Sequence, residues 1–207
     1  MQCLAPDGGS FRRSRYTGLV PIKIGVTPAS FSDPIRLLKD CHERVEMFLG
    51  VLCSLATQNG GPLPVADAQS LGTALKYFRE AAPQHTADEE DSLFPRLRSK
   101  PASAVRSVLS ELARLEQDHR YAASLHQDVN SLGQRWLTRG QLTIDEQHRF
   151  AVSVQELASM YRAHIRTEED TVFPIAASVL SEKERSEVSS EMAARRGLPN
   201  QIAAPVK

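Results

Sequence analysis

Two stretches of the chain repeat one chemistry-bearing pattern. His85 to Pro95 and His164 to Pro174 align without a gap as H-x-x-x-E-E-D-x-(Leu/Val)-F-P. On an α-helix, residues i and i+4 differ by about 6 Å along the axis and about 40° around it, so an imidazole and a carboxylate at that spacing converge on one point. His85 with Glu89, and His164 with Glu168, are thereby matched to hold a cation. A single histidine precedes each copy, His42 lying 43 residues before His85 and His119 lying 45 before His164. The pattern describes two helical hairpins related by a pseudo-twofold, each offering one lone histidine and one histidine-glutamate pair.

Four imidazoles and two carboxylates form a dinuclear inventory. A single ion rarely needs six protein ligands, whereas two ions sharing bridging carboxylates keep positions open for a small ligand. Mixed nitrogen and oxygen donors without thiolate favour two non-haem iron ions, with manganese second and zinc less suited. One histidine on an apolar stripe is ordinarily a hydrogen-bonded core residue. Four in register, two followed by a carboxylate, resist that reading because buried carboxylates without a cation are costly or become protonated.

The apolar spacing supplies the elements that would carry these groups. Asp33-Pro34 is a helix start, with Asp as N-cap and Pro at the first helical position. From there Ile35, Leu38, His42, Val45, Leu49, Leu52 and Ala56 recur three and four residues apart, which places His42 within a core seam. After Asn59-Gly60-Gly61-Pro62, a second seam runs through Leu71, Leu75, Phe78, Ala82, His85 and Glu89. A third starts near Pro101 and holds Val105, Val108, Leu112, Leu115, His119, Ala122, His126 and Val129. The fourth opens with the capping box Thr143 and Glu146 and continues from Phe150 through Val154, Leu157, Tyr161, His164 and Glu168 to Ile175. A shorter fifth helix is expected from Ser181 to Arg196, capped by Ser181 and Glu184 and stopped at Gly197.

The expected fold is therefore all-α, an up-down-up-down four-helix bundle over residues 33–178, with an irregular leader over 1–32 and a short helix and loose tail over 179–207. Within the leader, a short strand around Val20 to Val26 is one reading. In the second helix His85 stands about 13 residues before Arg98, while in the third His119 stands about 18 after Pro101. This is a level mismatch of roughly 7 Å at 1.5 Å per residue, which a kink at Pro95 is expected to absorb.

Composition narrows the function. Lys plus Arg count 25 and Asp plus Glu also count 25, so no charge excess points to nucleic acid or an anionic membrane. No apolar run approaches the length of a membrane span or a secretory signal, and a cytoplasmic protein is expected. Cys41 and Cys53 would stand about 18 Å apart on one helix, too far for a disulfide. With Cys3 they leave an odd count, consistent with a reducing compartment and no redox role.

The repeated histidine and H-x-x-x-E elements resemble the hemerythrin-like (HHE cation-binding) family over about residues 33 to 178. That resemblance implies metal ligands at His42, His85, Glu89, His119, His164 and Glu168, with Glu89 and Glu168 as bridging carboxylates, and dioxygen or another small diatomic molecule as the partner. In oxygen-carrying hemerythrins the third helix supplies a second histidine one turn on, where this chain has Ala123. The resemblance is therefore to the histidine-glutamate variant found among bacterial members, and carrier, sensor and store are all open readings. A sensor would act through a homodimer or a separate signalling partner.

Enzymatic turnover of peroxide or nitric oxide, or iron storage or repair, is the alternative the family suggests. A ferritin-like carboxylate centre would need E-x-x-H on two helices, and only Glu116-x-x-His119 fits. Around the six ligands, Glu90 and Glu169 are expected to supplement or replace their neighbours. His126 is expected behind the ligands, and Glu46 on a solvated face that offers at most an accessory ligand. Tyr161 is open between core packing and a hydrogen bond to a ligand. His148 is expected at the surface, and Asp88 to Asp91 as a solvated face with one ligand among them.

Overall fold

The computed structural model describes residues 33–198. The expectations for the 1–32 leader, its strand and the tail after Pro199 lie outside the described residues. Asp33 caps the first helix, α1 (Pro34–Ala56), its carboxylate Oδ1 accepting from the Ile35 and Arg36 amides at 3.1 and 3.2 Å. The second rod runs from α2 (Val65–Glu80) through α3 (Ala82–Ala87) and a π-helical turn (Asp88–Leu93) to α4 (Phe94–Arg98). The third is α5 (Ala102–Arg139), ended by Gly140 at φ 75°, a backbone angle that suits glycine. The fourth joins α6 (Ile144–Thr167), a second π-helical turn (Glu168–Val172) and α7 (Phe173–Val179). Helix α8 (Glu182–Arg195) follows behind its Ser181 and Glu184 capping box.

The chain is an all-α bundle in which α1 packs on α2, α2 on α5, α5 on α6 and α6 back on α1, closing a four-rod ring. Among the described residues there is no strand, and no helix is long and apolar enough to cross a membrane. At one end the two hairpin loops are stitched together: Leu142 donates its amide to Gly60 at 2.8 Å, and Trp136 donates Nε1 to the Gly61 carbonyl at 2.8 Å.

The interior is two apolar cores rather than one. The first gathers residues such as Leu52, Leu71, Trp136, Phe150 and Leu157. The second gathers Leu38, Leu97, Val108, Leu115 and Phe173, together with Val188 and Met192 of α8. His42 falls between Leu38 and Val45, and His119 between Leu115 and Ala122. The apolar spacing thus continues on both sides of a polar layer, and burial on each side fixes its level along the bundle.

The π-helical turns are what the apolar period did not disclose. In each copy the Phe amide reaches five residues back, Phe94 to the Glu89 carbonyl and Phe173 to the Glu168 carbonyl. Pro95 and Pro174 follow at once. A proline lacks an amide donor and crowds the carbonyl four residues behind it, and widening the preceding turn accommodates both. The departure from regular helix expected at Pro95 accordingly lies upstream of it, in the turn that carries Glu89.

Candidate metal centre

All six sequence-predicted side chains meet in the polar layer, and every one is buried, with Glu89 and Glu168 at 0% exposure. They form two quartets whose potential ligand atoms lie within 4.8 Å of one another: His42, His85, Glu89 and Glu168, and Glu89, His119, His164 and Glu168. Each imidazole presents Nε2. Glu89 turns Oε1 toward His85 at 3.4 Å and His42 at 3.9 Å, and Oε2 toward His119 at 3.3 Å. Glu168 turns Oε2 toward His42 at 3.1 Å and Oε1 toward His164 at 3.2 Å. Each carboxylate therefore divides its oxygens between the two quartets.

The donor set is poorly satisfied by hydrogen bonding alone. Neither oxygen of Glu89 or Glu168 makes a well-directed hydrogen bond, nor does His42 Nε2. Native interiors rarely leave such atoms without partners unless an ion or water supplies them. Apart from a 3.0 Å contact between His119 Nε2 and His164 Nε2, these atoms crowd around common points without hydrogen-bond partners, as ligation of cations requires, so the residues fit metal.

Protonation in the metal-free cluster follows from burial. Burial drives the Glu89 carboxyl well above the usual carboxylate range, and the nearby Glu168 charge adds to the rise. Burial also opposes ionisation of Glu168, but the close His164 and His42 imidazoles, 3.2 and 3.1 Å away, overcome it and hold that carboxyl well below its ordinary range. His42 and His164 respond in kind: burial favours their neutral forms, and Glu168 reverses this, raising both above the usual imidazole value. His85 is held neutral by burial and by repulsion from His42. Cations entering the cluster would displace these protons.

The second glutamate of each motif acts on the opposite hairpin. Glu90 Oε1 lies 2.7 Å from His119 Nδ1, and Glu169 Oε1 lies 2.8 Å from His42 Nδ1. These carboxylates hold two imidazoles with Nε2 inward, as outer partners of ligating histidines do. Neither glutamate belongs to the two quartets. The motif phenylalanines cross over as well: Phe173 stacks on His42 with ring centroids 5.4 Å apart, and Phe94 lies parallel to His119 at 6.5 Å. His164 Nδ1 is 3.4 Å from Asp118, whereas His85 Nδ1 has no hydrogen-bond partner. Counting from the lone histidines, Cys41 stands where Asp118 stands in the other hairpin.

Other expectations resolve as follows. Glu46 and His148 are exposed. His126 stacks on Phe78 at 4.5 Å and shares a 3.0 Å hydrogen bond with the Tyr161 hydroxyl, so it stands behind the ligands. Asp88 corrects the reading of its acidic run as a solvated face. It is 0% exposed and is held by Arg195 at 3.0 Å and Arg196 at 2.6 Å, both contributed by α8 and its C-terminal cap. Nothing in the repeat signalled this, because the arginines arrive from a helix outside it. Between α2, α3 and α5 a cavity of about 420 Å³ reaches His119 and Tyr161.

Comparison with known proteins agrees with this geometry. The family model for the hemerythrin HHE cation binding domain matches residues 33–176. A Haemophilus influenzae protein of unassigned function is 29% identical over 174 residues, covering 81% of this chain and 92% of that protein.

Proposed function

Because the chain belongs to the hemerythrin HHE cation-binding family, we propose that it is a non-haem di-iron protein that binds or senses dioxygen, or senses iron. His42, His85, Glu89, His119, His164 and Glu168 are its metal ligands in this reading. The observation that carries it is the division of both buried carboxylates between the two quartets, which is the arrangement of bridging ligands. Bound iron would supply Lewis-acid and redox chemistry with coordination positions left for an exogenous ligand. Manganese and zinc suit the imidazole-carboxylate set less well.

The remaining residues each have a defined task. Glu90 and Glu169 fix two imidazoles with Nε2 inward. The apolar cores on either side exclude bulk water from the layer. Glu89, His42 and His164 release their protons on loading, so metal affinity rises with pH. A reducing cytoplasm belongs to the same reading, and Cys41 is a buried free thiol. A second reading, turnover of peroxide or nitric oxide, is favoured by a cavity that reaches His119 and has room for more than one small molecule at once.

Elemental analysis of the purified chain should find two irons. Glu89→Gln and Glu168→Gln should each remove most of that iron, since both quartets share both carboxylates. Anaerobically reduced protein exposed to dioxygen should gain a charge-transfer band toward the visible. One iron or none in the parent protein defeats the proposal. Two irons with no spectral response, but with turnover of peroxide or nitric oxide, favours the second reading.

A further inference from the structure

The cavity between α2, α3 and α5 meets one half of the centre. Its lining includes His119, whose Nε2 belongs to the second quartet, and Tyr161 of α6, whose ring centroid is 6.1 Å from that of His164. Water takes about 30 Å³ in the liquid, so a diatomic molecule would occupy roughly a tenth of a cavity of about 420 Å³. Pockets of some 300 to 1,000 Å³ lined by apolar groups with a few convergent polar ones suit small organic ligands. Leu75, Phe78, Ala82, Ala122 and Val129 supply apolar wall here.

The lining also holds the polar residues Arg79, Thr86, Gln127 and Asn130, and among its polar groups His126 and Tyr161 form a pair joined by the 3.0 Å hydrogen bond. A neutral His126 donating from Nε2 leaves the tyrosine proton free to donate onward. The pair exists in one hairpin only. Counting from the repeated histidines, the counterparts of His126 and Tyr161 are Leu49 and Ala82. Ala82, small where Tyr161 is large, is itself part of the cavity wall.

We propose that this cavity is the subsite for a small organic monocarboxylate, with its apolar body against Leu75, Phe78 and Val129 and its carboxylate at the His119 end, accepting a hydrogen bond from Tyr161. The inference rests on the di-metal reading for the sign of the headgroup. An anionic carboxylate oxygen is a stronger donor to a bound divalent ion than a neutral hydroxyl, so an anionic head is favoured at that end over a neutral one.

The test uses the full chain loaded with zinc, a redox-silent probe, titrated by calorimetry with benzoate, with acetate as the bare headgroup and benzyl alcohol as the uncharged analogue. Benzoate should bind at least about tenfold tighter than either. Tyr161→Phe should weaken benzoate about tenfold at unchanged zinc content. Ala82→Tyr, which installs the counterpart residue, should abolish benzoate binding. Ala123→Phe, at an exposed position on the cavity rim, provides a second blockade that burial does not oppose. Equal binding of benzoate and acetate, or benzoate binding unchanged by both blockades, overturns the proposal. Zinc content measured on the same samples separates the two readings: failure to hold two ions refutes the di-metal centre, whereas two ions without benzoate preference refutes the subsite alone.

Discussion

Glu90 reaches His119 at 2.7 Å and Glu169 reaches His42 at 2.8 Å, yet one residue before each ligand glutamate the two motif copies part. The first copy has Asp88, fully buried and gripped by Arg195 and Arg196. The second has Thr167, half-buried, which accepts a 2.7 Å hydrogen bond from Arg114. Helix α8 packs on the first π-helical turn and on α1, and Arg195 also donates to Ser92 at 2.8 Å. Facing the centre, each position is constrained by the geometry of shared ligation, and the pseudo-twofold is kept. Away from it the copies answer to different neighbours, a fifth helix in one case and Arg114 of α5 in the other, and there the symmetry lapses.

The sharpest way to break this comparison is to remove the brace. Arg195→Ala with Arg196→Ala leaves Asp88 buried without its cations, and loss of a partner from a buried ion pair costs about 3 to 5 kcal/mol. Arg114→Ala, which removes an exposed arginine from the uncharged counterpart Thr167, should cost no more than about 1 kcal/mol. Adding Asp88→Thr to the double arginine variant should restore much of the loss, because the stranded carboxylate is gone. Urea unfolding of the metal-free proteins measures all three, and equal losses for the two arginine sites would erase the distinction between the copies.

The next effect concerns His126, whose counterpart is Leu49. Burial pulls the His126 pKa down to about 4, against an unfolded value of about 6.5. The unfolded chain therefore binds the extra proton first. Stability contributed at this position is full above about pH 6.5 and is lost as pH falls toward 4, amounting to about 3 kcal/mol. His126→Leu, copying the other hairpin, should remove that part of the acid sensitivity. Unfolding midpoints at pH 7 and pH 4.5 read the difference between variant and parent.

The smallest effects should sharpen the symmetry. Glu90→Ala and Glu169→Ala each remove one outer partner of a ligating imidazole, a change that costs about 10- to 100-fold in metal affinity. The two losses should agree within about threefold. Asp118→Ala should weaken binding less, since its contact with His164 is 3.4 Å long and has no equivalent at His85. Competition with a chelator of known iron affinity ranks the three, and a tenfold disparity between Glu90 and Glu169 would contradict the crossed pairing.

Much of the fold was legible because helical periodicity reports burial directly. The Asp33-Pro34 start and the two capping boxes are local devices, satisfied within a single turn, and each is found where the residues announced it. The six buried donors were legible for the same reason, since His and Glu at core spacing have few explanations. The π-helical turns were harder to read. Glu89 and Glu90 are adjacent and cannot share a narrow face on a regular helix, so spacing alone made Glu90 a rival for the ligand position. In the wider turn Glu89 lies within the cluster while Glu90 reaches His119.

The order of residues along the chain determined which helices form, where they stop and which side chains each buries, because those outcomes depend on neighbours three and four residues away. Only the tertiary structure decided that Glu169 serves His42 and Glu90 serves His119, that Asp88 is buried against α8, and that a cavity opens beside His119. These depend on contacts between residues 29 to 127 positions apart. No local spacing encodes such contacts, and they come into being only when the rods pack.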